Sequence, residues 1–230
     1  SDVSLLLNLL PRHTLASLAQ ESNLDADVIQ GHLQPHASKI KVLAAPPDLA
    51  QLVELPVENW RLILRQLAES SPYIIVDTSP VIDPLLSEVL TLADDIIVVT
   101  GPDLASLRST VVLLQSLDEE ENLHARTHVV LNRAGVRGGV SERAAAAQVG
   151  ERLAAAIPDD AALATFALNR GVPFVLSHPR SLLSRHLHEL AGKVFGLKAA
   201  AKTAAQPRRS LLSFGKRETA QRRVKGAAAA

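Results

Sequence analysis

Apolar residues follow two rhythms along this chain. In one, they form short unbroken runs: Ile40-Lys41-Val42-Leu43-Ala44-Ala45, Tyr73-Ile74-Ile75-Val76-Asp77, Ile96-Ile97-Val98-Val99-Thr100 and His128-Val129-Val130-Leu131-Asn132. A run that is apolar throughout, instead of alternating, is what a strand buried on both faces requires. In the other, apolar residues recur every three or four positions, as Val57, Trp60, Leu64 and Leu67 do, which predicts an amphipathic helix. Helices are expected over 57–69, 83–93, 103–118, 141–153, 160–169 and 180–195, and weaker extended pieces at 155–157 and 173–176. Residues 1–36 read as three short helical pieces, with Thr14 and then Asn23 or Asp25 as caps. Runs alternating with periodic stretches predict an α/β fold, a mostly parallel sheet with helices on both faces.

In such sheets ligands gather beyond the carboxyl ends of the strands. The residues there are Asp77, Asn132 with Arg133, and Pro158 with Asp159. A strand-end carboxylate such as Asp77 can hold a magnesium ion through water, or cap the next helix. Asp83, followed by Pro84, suits a helix cap better than a catalytic group. Asn offers donor and acceptor to the edge of a nucleobase, although Asn and Pro-Asp are also ordinary turn residues. The helix over 103–118 should pack Leu107, Val111 and Leu114 on the sheet and turn Ser106, Arg108, Ser109 and Thr110 outward, a face for protein contacts or simply solvent.

Composition adds an asymmetry. Lys+Arg and Asp+Glu both number 24. Residues 197–230 hold nine Lys/Arg against one Glu, a net of +8, so residues 1–196 carry −8. An acidic body counts against nucleic acid as a partner. The chain divides into a folded domain, 1–196, and a basic tail, 197–230, too poor in large apolar residues to fold alone. Within the tail, residues 208–217 set Leu211, Leu212 and Phe214 between basic pairs, suited at most to weak contact with an anionic membrane. The chain has no cysteine, which excludes disulfides and thiolate chemistry. It has no methionine either, and Ser1 reads as an internal cut. The eight histidines show no metal-binding spacing, and His186 and His188 point apart on a helix. No G-x-S-x-G elbow is present. No G-x-x-x-x-G-K-[ST] loop is present either, and Gly135 to Gly139 lacks the following lysine.

The order of segments resembles the deviant-Walker P-loop ATPases of the MinD/ParA group, most closely the CpaE/TadZ pilus-assembly branch. The resemblance rests on residues 1–15, 42–47, 73–77 and 93–99, then on Leu107-Arg108-Ser109-Thr110, Val130-Leu131-Asn132-Arg133, Ile157-Pro158-Asp159-Asp160 and Asn169-Arg170-Gly171-Val172-Pro173. It implies a three-layer P-loop fold whose first strand and phosphate loop lie ahead of Ser1. It matches Asp77 to the magnesium-holding aspartate and Asp83 to a switch segment with a catalytic role. It matches Asn132, Arg133, Pro158 and Asp159 to adenine-binding positions. The function it implies is an ATP- and Mg2+-dependent dimeric switch that organises pilus-assembly or secretion proteins, cytoplasmic, with polar or membrane association left open. The same likeness leaves open a non-catalytic dimeric scaffold with a degenerate site, and a partition-type positioning ATPase.

Overall fold

The computed structural model describes residues 3–46, 55–79, 83–120 and 122–196. The first part of the chain is mostly helical. It runs through α1 (Val3–Leu6), α2 (Leu15–Leu18), α3 (Ala26–His32), the short strands β1 (Gln34–Pro35) and β2 (Lys41–Val42), then α4 (Val57–Ser70) and α5 (Pro84–Leu92). Strands and helices then alternate: β3 (Ile96–Thr100), α6 (Leu104–Asp118), α7 (Leu123–Arg126), β4 (Thr127–Ala134), α8 (Glu142–Val149), a 3-10 turn (Gly150–Arg152), β5 (Leu153–Pro158), α9 (Ala161–Arg170), α10 (Phe174–Ser177) and α11 (Leu182–Val194).

Helix starts follow the expected chemistry. Asp25, Asp83, Asp103, Ser141, Asp160 and Ser181 each accept a backbone N–H three residues on, which satisfies a donor the helix leaves open. Of the two candidates for α3, Asp25 is the cap, and Asn23 Nδ2 donates to it at 2.9 Å. Ahead of α2, Ser17 Oγ accepts from the Thr14 N–H at 2.9 Å.

β3, β4 and β5 form one parallel sheet in that order, with Ile96 opposite Thr127 and Thr100 opposite Leu131. β4 is the middle strand and is covered on both sides. Val129 and Leu131 pack with Leu107 and Leu114 of α6 and Ala145 and Val149 of α8. Val130 packs the other way, with Ile157 and with Leu183 of α11. The expected layering, helix–sheet–helix, is what the chain adopts. A separate cluster joins Leu18, Leu24, Ile29 and Ile63 from the helical first part. There α4 is clamped to α5 by Arg61, whose Nε and Nη2 donate to both carboxylate oxygens of Glu88 at 2.6 and 2.8 Å.

Several expectations need correction. Residues 73–77 form no strand; 73–79 run without helix or ladder and are exposed throughout, because among the described residues no strand lies against them. β3, an edge strand among the described residues, is not covered on both faces, and Ile97 and Val99 are exposed. The 40–45 run narrows to Lys41–Val42, antiparallel to β1. Residues 173–176, expected to be extended, start a helical turn instead: Pro173, at φ −53°, is its N-cap, where a fixed φ and a missing N–H cost nothing. The weak strand at 155–157 extends to six residues, since it pairs with the buried β4. The helix expected over 141–153 stops at Val149, where Gly150 leaves helical geometry at φ +65°. The segment 47–54 and the basic tail, with the membrane contact expected of it, lie outside the described residues.

Candidate functional site

The carboxyl ends of the three parallel strands meet at one edge of the sheet. β3 ends at Thr100, followed by Gly101, Pro102 and Asp103. Asp103 caps α6 and also accepts from the Ser106 hydroxyl at 2.7 Å. That hydroxyl, and the Ser106 N–H after it, hold the Asp103 carboxyl below its ordinary range.

β4 ends irregularly. Its register against β5 slips between Leu131 and Ala134, and Arg133 sits at φ +55°, a left-handed conformation that a non-glycine residue adopts at a cost of roughly 1–2 kcal/mol. The slip re-aims side chains at the strand end. The Arg133 N–H donates to Asn132 Oδ1 at 3.0 Å, and Arg133 Nε donates to Asp159 Oδ1 at 2.9 Å. The Asp159 N–H donates to the Ala134 carbonyl at 3.0 Å, and Ala134 pairs with Pro158. Asn132, Arg133, Pro158 and Asp159, picked from two distant stretches of sequence, are therefore brought into one corner.

The loop after β4 closes toward β3. Gly135 and Gly138 both take positive φ, +83° and +80°, and the Val140 N–H donates to the Pro102 carbonyl at 2.7 Å. Sequence reasoning weighed these glycines only as a phosphate loop and missed this role; two glycines three apart after a strand were the available sign of a tight turn.

The two other site candidates stand elsewhere. Asp83 caps α5, accepting from the Leu86 N–H at 2.7 Å with Pro84 as first helical residue. Asp77 is exposed on the segment that follows Tyr73 to Val76. On α6, Leu107 and Leu114 face the core as expected and Arg108 and Ser109 are exposed, but Thr110 is buried with its hydroxyl donating to the Ser106 carbonyl. Two of the histidines serve local structure: His32 is buried with Nδ1 2.8 Å from the Val28 carbonyl, and His128 pairs with Asp95 at 2.8 Å. Among the described residues no group of three or more His, Asp or Glu is placed to hold a metal, and no helix is long and apolar enough to cross a membrane.

The arrangement resembles solved structures. A ParA family ATPase from Chlorobium tepidum TLS superimposes with a TM-score of 0.74 at 25% identity, over 84% of this chain and 79% of that one. The fold is that of the ParA/MinD ATPases. The septum site-determining protein MinD from Pyrococcus horikoshii OT3, complexed with Mg-ADP, matches with a TM-score of 0.70 at 19% identity, over 84% of this chain and 78% of that one. MinD in a MinC:MinD cell division complex from Aquifex aeolicus matches at 0.66 and 19%, over 86% and 80%. No protein-family model matches the sequence, and no curated protein matches it. Within the ParA/MinD fold, the corner at the ends of β4 and β5 lies where open α/β sheets bind their ligands.

Proposed function

We propose that this chain belongs to a nucleotide-switched organiser of the CpaE/TadZ type, which binds ATP with Mg2+, dimerises, and positions pilus-assembly or secretion proteins. The observation that carries the nucleotide part is the Asn132–Arg133–Asp159 corner on a ParA/MinD fold. An amide offers both donor and acceptor to the edge of a planar base, and the corner fixes Asn132 through the Arg133 N–H and fixes Arg133 through Asp159. These residues fit the base end of a nucleotide. The phosphate end has no counterpart in the 230 residues, because no glycine-rich loop with a lysine occurs in them. Asp77 is proposed to hold the metal through water and Asp83 to lie in the switch segment once a phosphate loop is present. The pilus-assembly assignment rests on the sequence resemblance.

Isothermal titration with Mg-ATP tests the reading. Residues 1–230 alone should bind without useful affinity, while a chain extended ahead of Ser1 through a Gly-Lys-Ser/Thr loop should bind and lose at least ~10-fold in affinity on Asn132→Ala. That loss corresponds to about one bidentate hydrogen-bonding contact of 1–3 kcal/mol. Micromolar binding by residues 1–230, or an extended chain indifferent to Asn132→Ala, overturns it.

A further inference from the structure

Between the end of α9 and the start of α11 the surface is both basic and apolar. Residues 161–188 contain three Arg, three His and no Asp or Glu, although residues 1–196 as a whole carry −8. Arg170, Arg180 and Arg185 are exposed. Among the described residues the arginines that form ion pairs are Arg61, Arg133 and Arg152, so the three here keep their charge for an outside partner. The large apolar side chains Phe166, Leu176 and Leu182 are 42%, 51% and 52% exposed. A single exposed leucine needs no explanation, but several among charges of one sign mark a contact face.

These residues are held together at His178. The Phe166 ring meets the His178 ring edge-on at 5.6 Å, and the Arg170 guanidinium lies 4.6 Å from the centre of the Phe166 ring, where the ring face attracts a cation. The His178 carbonyl accepts the Ser181 N–H at 3.0 Å and the Ser184 hydroxyl at 2.7 Å. Ser181 caps α11, and Ser184 is fully buried, which seats the junction in the folded body. Leu176 lies just before His178 in the chain, and Leu182 is the first residue of α11.

We propose that Phe166, Leu176 and Leu182, with Arg170, Arg180 and Arg185 around them, form a docking face of the folded domain for an anionic lipid bilayer. The arginines match the charge of anionic headgroups, and the three apolar side chains reach the boundary between headgroups and acyl chains. Arginine suits that depth, because its stem lies along apolar surface while its head stays in water. A protein ligand fits less well. Its anchors need pockets to fill, and these residues line neither the cavity beside Tyr73 nor the groove beside Val99. Nucleic acid would use the arginines and leave the apolar side chains idle. The face is separate from the basic tail, and the inference does not rest on nucleotide binding.

Vesicles of equimolar phosphatidylcholine and phosphatidylglycerol test this, with pure phosphatidylcholine as control and without nucleotide. The full chain should sediment with the anionic vesicles at low salt and less at moderate salt, as charges are screened. Arg180→Ala with Arg185→Ala should weaken binding about 25-fold, from roughly fivefold per arginine at an anionic surface. Phe166→Ala with Leu182→Ala should weaken it at least ~10-fold, from the apolar area withdrawn. Both variants keep the tail, so pelleting equal to the parent's assigns binding to the tail and overturns the proposal. So does a failure of the parent to bind. Loss with the arginines but not with Phe166 and Leu182, beside equal binding to duplex DNA, replaces the bilayer with nucleic acid and also overturns it. Trp60 is the chain's single tryptophan, so Leu176→Trp in a Trp60→Phe background reports on the face with the arginines, Phe166 and Leu182 intact. Its emission should shift to the blue on the anionic vesicles and be quenched by brominated acyl chains; an unchanged spectrum in bound protein overturns the proposal.

Discussion

β4 and the 73–77 segment are built from the same residue types and have opposite fates. Val129 and Leu131 of β4 are wholly buried, whereas Ile75 is 82% exposed. Both runs are β-branched and apolar, so strand propensity does not separate them. Neighbours do. β4 has a strand on each edge and a helical layer on each face, while 73–77 has no strand beside it among the described residues. Intrinsic preference selects an extended backbone; burial needs the rest of the layer.

The comparison breaks most sharply under truncation. Leu131→Ala removes a fully buried side chain from the middle of the sheet and should destabilise the chain by about 2–5 kcal/mol. Ile75→Ala should change stability by no more than about 0.5 kcal/mol. Urea unfolding of the two variants checks this, and a comparable loss at both positions would mean that 73–77 is already packed in the isolated chain.

The same contrast explains what was legible in the sequence. The helices were, because their caps and periodicity are local: Asp103 begins α6 and Asp160 begins α9 with no help from distant residues. The class of fold was, from the alternation of runs and helices. The exposure of 73–77 was not, since it depends on what lies beside the segment in space. Asn132 and Asp159 were legible as strand-end polar residues, but their linkage through Arg133 was not. It depends on a register slip and a left-handed residue, neither of which leaves a mark in composition. Pro173 was read as the start of a short extended piece because proline before apolar residues suits either an extended segment or the first turn of a helix.

A smaller effect tests how firmly the first part of the chain is seated on the second. Gly171 ends α9 at φ +59°, and a Cβ there would lie 2.4 Å from the Asn8 Cβ and 3.0 Å from the Asn8 nitrogen. Gly171→Ala should therefore cost about 1–3 kcal/mol, the range for a non-glycine residue held in a strained left-handed conformation. A chain as stable as the parent would show that the 1–10 segment moves away freely.

Asp83 and Asp77 extend the comparison to single carboxylates. Asp83→Ala removes the α5 cap and should lower stability by about 1 kcal/mol. Asp77→Ala, on the exposed segment, should stay within about 0.5 kcal/mol in residues 1–230, and should instead impair nucleotide-dependent dimerisation in a chain competent to bind nucleotide. Thermal melts beside a dimerisation assay separate the two. A stability loss at Asp77 equal to that at Asp83 would count for a structural role.

The smallest effect concerns acid, and it falls on the well-packed side. Asp118, at the end of α6, accepts from Arg152 Nη1 at 2.8 Å and lies 2.8 Å from His124 Nδ1, tying α6 to α7 and to the turn that starts β5. The His124 hydrogen bond, with the Arg152 charge behind it, outweighs the opposing effect of desolvation and holds the Asp118 carboxyl below its ordinary value of 3.8. A carboxylate depressed in the folded state adds stability that is complete above its unfolded value and disappears as pH falls through its folded one. Asp118→Asn should therefore melt below the parent at neutral pH, and the gap should close as pH drops below 3.8. Because the group is largely open to solvent, the gap should also shrink in high salt. Melting curves of both chains from pH 7 downward, at two salt concentrations, read the difference directly. A gap that keeps its size below that pH, or widens, would show that Asp118 acts through packing of its side chain and not through its charge.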